Sequence, residues 1–253
     1  MPKLSVAIIT KNEEKNIERC IDSVSFADEI VIVDHFSLDN TAELAESLGA
    51  VIYSRDWNGY GPAKQEAVNL ASGKWILSLD ADEAVSLELA EQIKRVIAED
   101  NDITGYYIRR KTKFLGKWIH HCGWYPDYIL RLFRKESGNF SDDIIHEKVV
   151  LKGNASRLNG EILHYCYQTL EQYLKKSNGY TTEGAKQAFK KGKRAGLFDL
   201  TIRPIISFIS HYIFKAGFLD GIEGLIISAL SAQAVFHKYA KLRRLNQSGG
   251  LGE

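Results

Sequence analysis

The alternation of short apolar runs with helical patterns in the first hundred residues is the feature that most constrains the fold. Runs rich in Val, Ile and Leu predict four strands, at residues 4–9, 29–33, 51–53 and 74–79. Between them apolar residues recur at helical spacing, which predicts crossover helices. This order predicts an α/β fold with a doubly wound, mostly parallel sheet and helices on both faces, in which ligands bind beyond the carboxyl ends of the strands.

Capping residues indicate where these helices begin and end. Asn12 is placed to cap a helix that runs through Ser23, and Ser86 is placed to cap one that reaches about Ala98. Gly49 follows the second helix, where glycine readily adopts the left-handed backbone that ends a helix.

The pattern changes at Gly105. Beyond it the sequence predicts a mixed or antiparallel continuation of the sheet, with strands at residues 106–111, 128–134 and 147–151. After about residue 165 helical patterns continue to the end. We therefore expect an α/β domain over residues 1–165 and a helical segment over residues 166–253 that lies on a membrane or joins two copies of the chain.

Composition excludes several classes of protein. The 33 Lys and Arg residues balance 32 Asp and Glu residues, so we expect no nucleic-acid partner. Three cysteines without a CxxC pair predict reduced thiols and a cytoplasmic protein. The longest apolar stretches, near residues 205–214 and 217–236, are short or interrupted by acidic residues, so we expect no helix that spans a membrane.

Acidic side chains follow two of the predicted strands. Asp80 and Asp82 come directly after the fourth strand, and two carboxylates at this spacing are hard oxygen ligands for Mg²⁺ or Mn²⁺ shared with substrate phosphates. The alternative is that they favour the N-terminus of the helix that follows Ser86. Asp34 closes the second strand, where a buried carboxylate needs a partner.

Several stretches resemble the N-terminal half of an inverting family 2 glycosyltransferase with the GT-A fold. They are Ser5–Glu14, Ala27–Asp34 with Thr41, Trp57–Gly61 and Trp75–Glu83. Gly123–Arg134, Ile145–Glu147 and Gly217–Gly221 are similar to the WaaE/KdtX type of lipopolysaccharide core glycosyltransferase. The resemblance covers nearly the whole chain and implies transfer of a hexose, commonly glucose from UDP-glucose, to the heptose of the inner core. One departure is the bulky pair His35-Phe36 after the strand-two aspartate.

The resemblance also implies roles for individual residues. The residues that would line the nucleotide pocket are Thr10, Asn12, Glu13 and Asp34, with Lys64 near the pyrophosphate and Asp80 and Asp82 as the metal-binding pair. Such a set suits the reaction, because a divalent ion and a cation neutralise the charge that develops on the leaving nucleoside diphosphate.

The catalytic base is left open between two carboxylates. Attack on the anomeric carbon from the face opposite the leaving group needs a carboxylate that takes the acceptor hydroxyl proton. Asp127 and Glu147 are the candidates, with Asp142 and Asp143 nearby. From the residues alone, Asp127 could equally be a turn residue beside Pro126, and Glu147 a charge on a surface strand.

Three further features have two interpretations each. Arg131 and Arg134 alternate with apolar residues in a predicted strand, so one is expected to reach a phosphate and the other solvent. His164 is a candidate metal ligand or phosphate partner, although a lone histidine is more often structural. An aromatic cluster could stack on sugar faces or pack as a plug, and it comprises Trp118, His120, His121, Trp124 and Tyr125.

Basic residues flank the apolar stretches of the C-terminal segment, as expected for contact with anionic lipid. They are Lys186, Lys190, Lys191, Lys193, Arg194 and Arg203 before the first stretch, and Lys238, Lys241, Arg243 and Arg244 after the second. The alternative is helices packed on protein, with a solvated basic face.

The sequence thus predicts a metal-dependent inverting glycosyltransferase on the inner face of the cytoplasmic membrane, with a nucleotide-sugar donor and a lipid-linked saccharide acceptor. Transfer to a polyprenyl phosphate or a protein, and a non-catalytic nucleotide-sugar-binding protein, are the alternatives.

Overall fold

The computed structural model of the protein describes residues 3–99, 101–141 and 148–249. The chain divides into two compact units. The first comprises Met1–Lys111 and Pro126–Cys166, and the second comprises Thr112–Tyr125 and Tyr167–Glu253. The predicted α/β fold class with a helical C-terminal segment is confirmed.

Eleven strands are formed by the described residues. They are β1 (Leu4–Thr10), β2 (Glu29–Asp34), β3 (Val51–Ser54), β4 (Trp75–Asp80), β5 (Glu83–Val85), β6 (Ile103–Phe114), β7 (Lys117–Trp118), β8 (Asp127–Arg134), β9 (Gly138–Phe140), β10 (Val149–Leu151) and β11 (Asn154–Tyr167). Nine of them form one sheet in the order β3-β2-β1-β4-β8-β6-β11-β5, with β7 paired to the end of β6, while β9 and β10 pair separately. Neighbours among β1 to β4 are parallel, whereas β8 pairs antiparallel with β4 and β6.

Helices cover both faces of the parallel strands. In the first unit they are α1 (Ile17–Ser23), α2 (Thr41–Ser47), α3 (Tyr60–Leu70) and α4 (Leu87–Ala98). Because side chains alternate along a strand, Val6 and Ile8 of β1 pack in one core with residues of α1 and α4, and Ala7 packs in a second core with residues of α3. The sheet is therefore doubly wound, as predicted.

One predicted helix start is wrong, and two other helix ends are confirmed. Asn12 does not cap α1: its φ is +55°, in the left-handed region that asparagine tolerates, and the helix begins only at Ile17. Ser86 does cap α4, because its hydroxyl accepts the backbone N–H of Leu89 at 3.2 Å. Gly49, with φ of +86°, follows the end of α2 as expected.

The long strand β11 was not predicted. Its sequence mixes polar and apolar residues, and much of its first half is exposed, so no clean alternation marks it. It pairs antiparallel with β5, which brings His164 opposite Glu83 and Ile162 opposite Val85.

The strand β8 contains an irregularity that re-aims one side chain. Tyr106 of β6 pairs with Leu132, and the next residue, Tyr107, pairs with Leu130. Arg131 is therefore the additional residue of a β-bulge, a feature that turns a strand and redirects its side chains.

The second unit is mainly helical. It contains α5 (Leu170–Lys190), α6 (Leu197–Ile209), a π-helical turn (Ser210–Phe214), a 3₁₀ turn (Gly217–Asp220) and α7 (Gly221–Ser248). Residues 112–125, which we expected in the first domain, belong here because Phe114 and Trp124 pack against the rings of Tyr167 and Tyr173.

Two stretches of this unit are long and apolar enough to cross a membrane, by length and composition alone. They are Leu197–Phe214, of which no part is buried, and Gly217–Ser248, which is 28% buried over its most apolar window. From the sequence we expected no stretch long enough to span a membrane. Leu197–Phe214 is longer than expected because α6 contains Pro204 and continues directly into the π-helical turn.

Replacement of Gly160 tests the packing of β11 on α4. A Cβ at this position would lie 2.5 Å from Cα and 2.6 Å from the backbone nitrogen of Leu89. Since backbone atoms cannot move aside cheaply, Gly160→Ala is expected to reduce the free energy of unfolding by about 1–3 kcal/mol. Urea unfolding followed by tryptophan fluorescence measures the change.

Gly179 provides the matched control, because it lies inside α5 with nothing within 4 Å of the added methyl group. Gly179→Ala is expected to stabilise the protein by up to about 1 kcal/mol. Equal urea midpoints for Gly160→Ala and the wild type would show that β11 does not lie against α4.

Candidate active site

Polar side chains meet at the carboxyl edge of the parallel strands. Thr10 ends β1 opposite Asp34, which ends β2, and Asp80 ends β4 on the other side of β1. This edge is where ligands bind in open α/β sheets. The structure thus brings together the residues that the sequence placed in a donor site.

The loops after β1 and β2 are tied to each other. Asn12 donates its backbone N–H to the hydroxyl of Ser37 and accepts the N–H of Leu38 on its side chain, both at 2.8 Å. Ser37 in turn donates its N–H and its hydroxyl to the carboxylate of the buried Asp34, at 2.9 and 2.5 Å. Glu13 continues the link by donating its N–H to Thr41. The left-handed Asn12 therefore fixes the loop around Asp34.

Two buried polar atoms at this edge have no hydrogen-bond partner among the described residues. One is the hydroxyl oxygen of Thr10, which is only 4% exposed, and the other is Nε2 of His35. The His35 ring is held by the carbonyl of Arg55 at 3.0 Å and meets Trp57 edge to face. Phe36 has φ of +54° and is exposed. The two bulky residues thus point in different directions: the side chain of His35 is buried and that of Phe36 is exposed to solvent.

A chain of alternating charges begins beside the predicted metal motif. Nζ of Lys64 lies 2.9 Å from one carboxylate oxygen of Asp80, and Nη2 of Arg131 lies 2.8 Å from the other. The same Arg131 nitrogen lies 3.0 Å from Glu83, whose side chain is fully buried. Glu83 also accepts the backbone N–H of Asp80 at 3.0 Å. The bulge in β8 places Arg131 between these two carboxylates.

The chain of charges continues to one of the two candidate bases. Arg110 of β6 lies 3.7 Å from Glu83 and donates Nε and Nη2 to Oδ2 of Asp127, at 3.1 and 2.7 Å. Arg110 and Asp127 are direct partners in the strand register. We call the set formed by Lys64, Asp80, Arg131, Glu83, Arg110 and Asp127 the charge chain.

Neighbouring charges determine the ionisation of Asp80 in the charge chain. Burial alone would raise the pKa of Asp80, but the positive charges of Arg131 and Lys64 outweigh it and hold that pKa well below its usual range. Asp80 therefore stays ionised. Removing one partner of such a pair leaves the other charge uncompensated, which is a large cost in a buried site.

Sequence reasoning missed Arg110 and gave Glu83 no role beyond the acidic motif. The signal was a charged residue inside a run with strand alternation, which is also what a solvated strand face contains. Arg134, expected in solvent as one alternative, donates instead to the carbonyls of Ile103 and Asn101 at 3.2 and 2.7 Å.

Asp82 and His164 form a separate pair beside the charge chain. Nε2 of His164 lies 3.4 Å from Oδ2 of Asp82. Burial lowers the pKa of His164, but hydrogen bonds to Asp82 and Cys166 and the charge of Asp82 raise it more, to about 10. In the metal-free protein His164 is therefore a proton donor to Asp82, and it would have to lose a proton before it could ligate a metal.

The described residues contain no group of three or more His, Cys, Asp and Glu side chains placed to hold a metal. Mg²⁺ is commonly bound through one or two carboxylates together with substrate phosphates and water. Asp80 and Asp82 fit that mode, since both are ionisable oxygen ligands at the sheet edge. Glu147, Asp142 and Asp143 lie outside the described residues.

The predicted aromatic cluster of the second unit has two parts. Trp124 is partly buried and stacks on Tyr173, with ring centroids 6.3 Å apart. His120 and Tyr125 form a separate pair, edge to face at 5.7 Å, and Trp118 lies under the ammonium group of Lys113. Trp124 thus belongs to a packed hydrophobic cluster, whereas His120 is exposed.

Comparison with known proteins identifies the class. Residues 5–157 match the family described as Glycosyl transferase family 2, and the chain belongs to this family. The resemblance seen in the sequence is thereby confirmed, and the protein is a glycosyltransferase.

Several relatives match almost the whole chain. An uncharacterized glycosyltransferase of Rickettsia typhi is 34% identical over 97% of this chain and 88% of its own length. The lipopolysaccharide core biosynthesis glycosyltransferase LpsC of Rhizobium meliloti is 30% identical over 99% of both chains.

Solved structures share less sequence. TarS 1–349 of S. aureus, in complex with UDP-GlcNAc, is 14% identical with a TM-score of 0.48, over 99% of this chain and 93% of that chain. Glucosyl-3-phosphoglycerate synthase of Mycobacterium tuberculosis, in complex with Mn²⁺, UDP and glucosyl-3-phosphoglycerate, is 20% identical with a TM-score of 0.40, over 53% and 57% of the two chains.

The Asp82–His164 pair predicts an unusual titration. We expect His164 of the metal-free protein to remain protonated at about pH 8, whereas an ordinary histidine has a pKa of about 6.5. Nitrogen-15 NMR of the imidazole rings, assigned by comparison with His164→Gln, measures the midpoint. A midpoint near about 6.5 would contradict the pairing.

The same pair predicts a pH dependence of stability. Because the pKa of His164 is raised on folding, the pair stabilises the fold fully below its unfolded pKa, and this contribution is lost as the pH rises to about 10. The difference in free energy of unfolding between the wild type and His164→Gln should therefore shrink steadily over that range.

Proposed function

We propose that the protein is a metal-dependent inverting glycosyltransferase that moves a hexose, glucose in particular, from a UDP-sugar to heptose of the lipopolysaccharide core. The observation that carries the proposal is Asp80 held between Lys64 and Arg131, next to Asp82, at the carboxyl edge of the sheet. Two cations and two carboxylates suit a diphosphate that brings a divalent ion. The full-length similarity to LpsC supports the acceptor class.

The donor occupies the loops after β1 and β2 in this proposal. The carboxylate of Asp34 and the unpartnered hydroxyl of Thr10 offer hydrogen bonds to the nucleoside, and Asn12 and Glu13 hold the loop that encloses it. Lys64 and Arg131 interact with the pyrophosphate, since both already stand beside Asp80.

Asp82, together with Asp80, would hold Mg²⁺ or Mn²⁺, and His164 stays a candidate third ligand. The ion supplies charge neutralisation for the departing nucleoside diphosphate. His164 in the metal-free protein neutralises Asp82 instead, so the site is not left with an isolated charge.

We propose Asp127 and Glu147 as the candidates for the base. Asp127 is supported by its contacts: Arg110 binds only Oδ2, and Oδ1 has no hydrogen bond within the described part of the chain. In the reaction the acceptor oxygen bonds to the anomeric carbon, the bond to the nucleoside diphosphate breaks, and the hydroxyl proton moves to the carboxylate.

Kinetics of two variants, and of the wild type without divalent cation, test these assignments. Asp82→Asn, or removal of divalent cation from the wild type, should abolish transfer because the leaving charge is no longer neutralised. Asp127→Asn should lower kcat by about 10²–10⁴ with donor affinity retained, because only proton transfer is lost. Release of UDP and formation of glycosylated core saccharide are measured together.

Glu147→Gln is the matched comparison for Asp127→Asn. If it removes transfer and Asp127→Asn does not, Glu147 is the base. Full activity in EDTA would exclude the metal. Transfer only to polyprenyl phosphate or only to a protein would replace the proposed acceptor. Absence of both transfer and hydrolysis with every nucleotide sugar tested would indicate a non-catalytic binding protein.

We also propose that the second unit contacts the cytoplasmic membrane from its inner face. None of the residues of α6 is buried, and Leu197 and Phe214, at the two ends of the apolar stretch, are 75% and 80% exposed. Exposed lysines and arginines stand directly before it, at residues 190–194. Such a combination fits an anionic lipid surface, where each basic residue contributes about 1 kcal/mol.

Vesicle sedimentation tests this contact. The wild type should bind vesicles with anionic lipid more strongly than neutral ones, and less so in high salt, because the basic residues are screened. The double variant Leu197→Ser and Phe214→Ser should lose binding.

Leu87→Ser is the control, since Leu87 is also exposed but lies in the first unit. Equal sedimentation of the double variant and the wild type would contradict membrane contact. If that variant instead changes the oligomeric state in solution, the apolar stretch joins two copies of the chain.

A further inference from the structure

We propose that His121 binds a hydroxyl group of the saccharide acceptor through Nε2, and that the buried Asp220 positions it for this contact. Both residues belong to the second unit. The inference rests on the proposed function in one respect, namely that the acceptor is a saccharide.

The carboxylate of Asp220 accepts hydrogen bonds from the N–H groups of two residues, His120 and His121. It is 3% exposed and accepts the backbone N–H of His121 at 2.7 Å, the backbone N–H of His120 at 3.3 Å, and Nδ1 of His121 at 3.1 Å. Since an ionised carboxylate only accepts hydrogen bonds, Nδ1 of His121 carries the hydrogen.

This pairing determines what the other ring nitrogen can do. In a neutral imidazole with hydrogen on Nδ1, Nε2 is an acceptor with a fixed direction. Nε2 of His121 has no hydrogen bond in the described residues, and the side chain is 33% exposed. The contact with Asp220 therefore orients the ring and leaves Nε2 at the surface.

The loop that carries His121 is held firmly. Lys117 donates to the backbone carbonyl of Asp220 at 2.6 Å, and the backbone N–H of Cys122 donates to the carbonyl of Lys215 at 3.0 Å. Cys122 and Gly123 both have left-handed backbones. A polar group fixed in this way loses little conformational entropy when a ligand binds.

The neighbours of His121 fit a sugar. His120 and Tyr125 form the surface pair of rings on the same loop, and such rings offer both an apolar face and a polar edge. The backbone N–H groups alone already satisfy much of Asp220, so the imidazole is not required merely to cap it.

Two replacements separate binding from support. The amide nitrogen of Asn reaches roughly the position of Nδ1, and the amide of Gln roughly that of Nε2. His121→Asn keeps the hydrogen bond to Asp220 but removes the one to the saccharide. His121→Gln can keep the hydrogen bond to the saccharide. His237→Asn is the control, because His237 is a partly exposed histidine of α7 in the same unit.

The probe is a lipid-free core oligosaccharide that contains heptose. We measure its binding by calorimetry, the nitrogen-15 shift of Nε2, and KM for acceptor and donor separately. His121→Asn should weaken binding of the oligosaccharide about tenfold, as for loss of one hydrogen bond, with donor KM unchanged. His121→Gln should bind more tightly than His121→Asn.

The outcomes are distinct. Normal oligosaccharide binding and acceptor KM in His121→Asn overturn the inference while transfer by the wild type upholds the proposed function. Equal weakening of oligosaccharide binding by His237→Asn, or tighter binding by His121→Asn than by His121→Gln, also overturns the inference. If the wild type binds no oligosaccharide, the inference fails, and absence of transfer then removes the proposed acceptor as well.

Discussion

The pairing of Arg131 with Asp80 and Glu83 is the interaction on which the candidate site depends. Glu83 is fully buried, and a buried carboxylate is stable only when charged and hydrogen-bonding partners surround it. Arg131 provides one, the N–H of Asp80 another, and Arg110 lies next in line. The charge chain therefore joins four strands, β4, β5, β6 and β8, to one another before any substrate binds.

If Asp80 binds a metal, as we propose, this arrangement meets two demands on that carboxylate. A metal ligand must be ionised, and an ionised group near a sheet core must be neutralised. Lys64 and Arg131 satisfy the second demand in the metal-free protein, and their charges favour the ionised form. The same cations are well suited to a pyrophosphate, so the arrangement that stabilises the fold is also one that prepares the donor site in our proposal.

The sequence allowed the strands, the sheet edge and the acidic residues to be predicted, because each depends on local pattern. Apolar runs marked β1, β2 and β4, and an aspartate at a strand end needs little context. Asn12 was misassigned because its side chain acts on Leu38, which is distant in sequence. Arg110 and the whole of β11 were not predicted for a related reason. Their partners lie on other strands, and no spacing rule in the sequence predicts such contacts.

The bulge at Arg131 also limits how this site can change during evolution. In an unbroken strand, residues two apart share a face, so removing the extra residue would turn every side chain on one flank of β8 to the opposite face. Either Leu132 and its neighbours would leave the core or Asp127 would leave Arg110. A change in the length of β8 would therefore disrupt either the core or the charge chain.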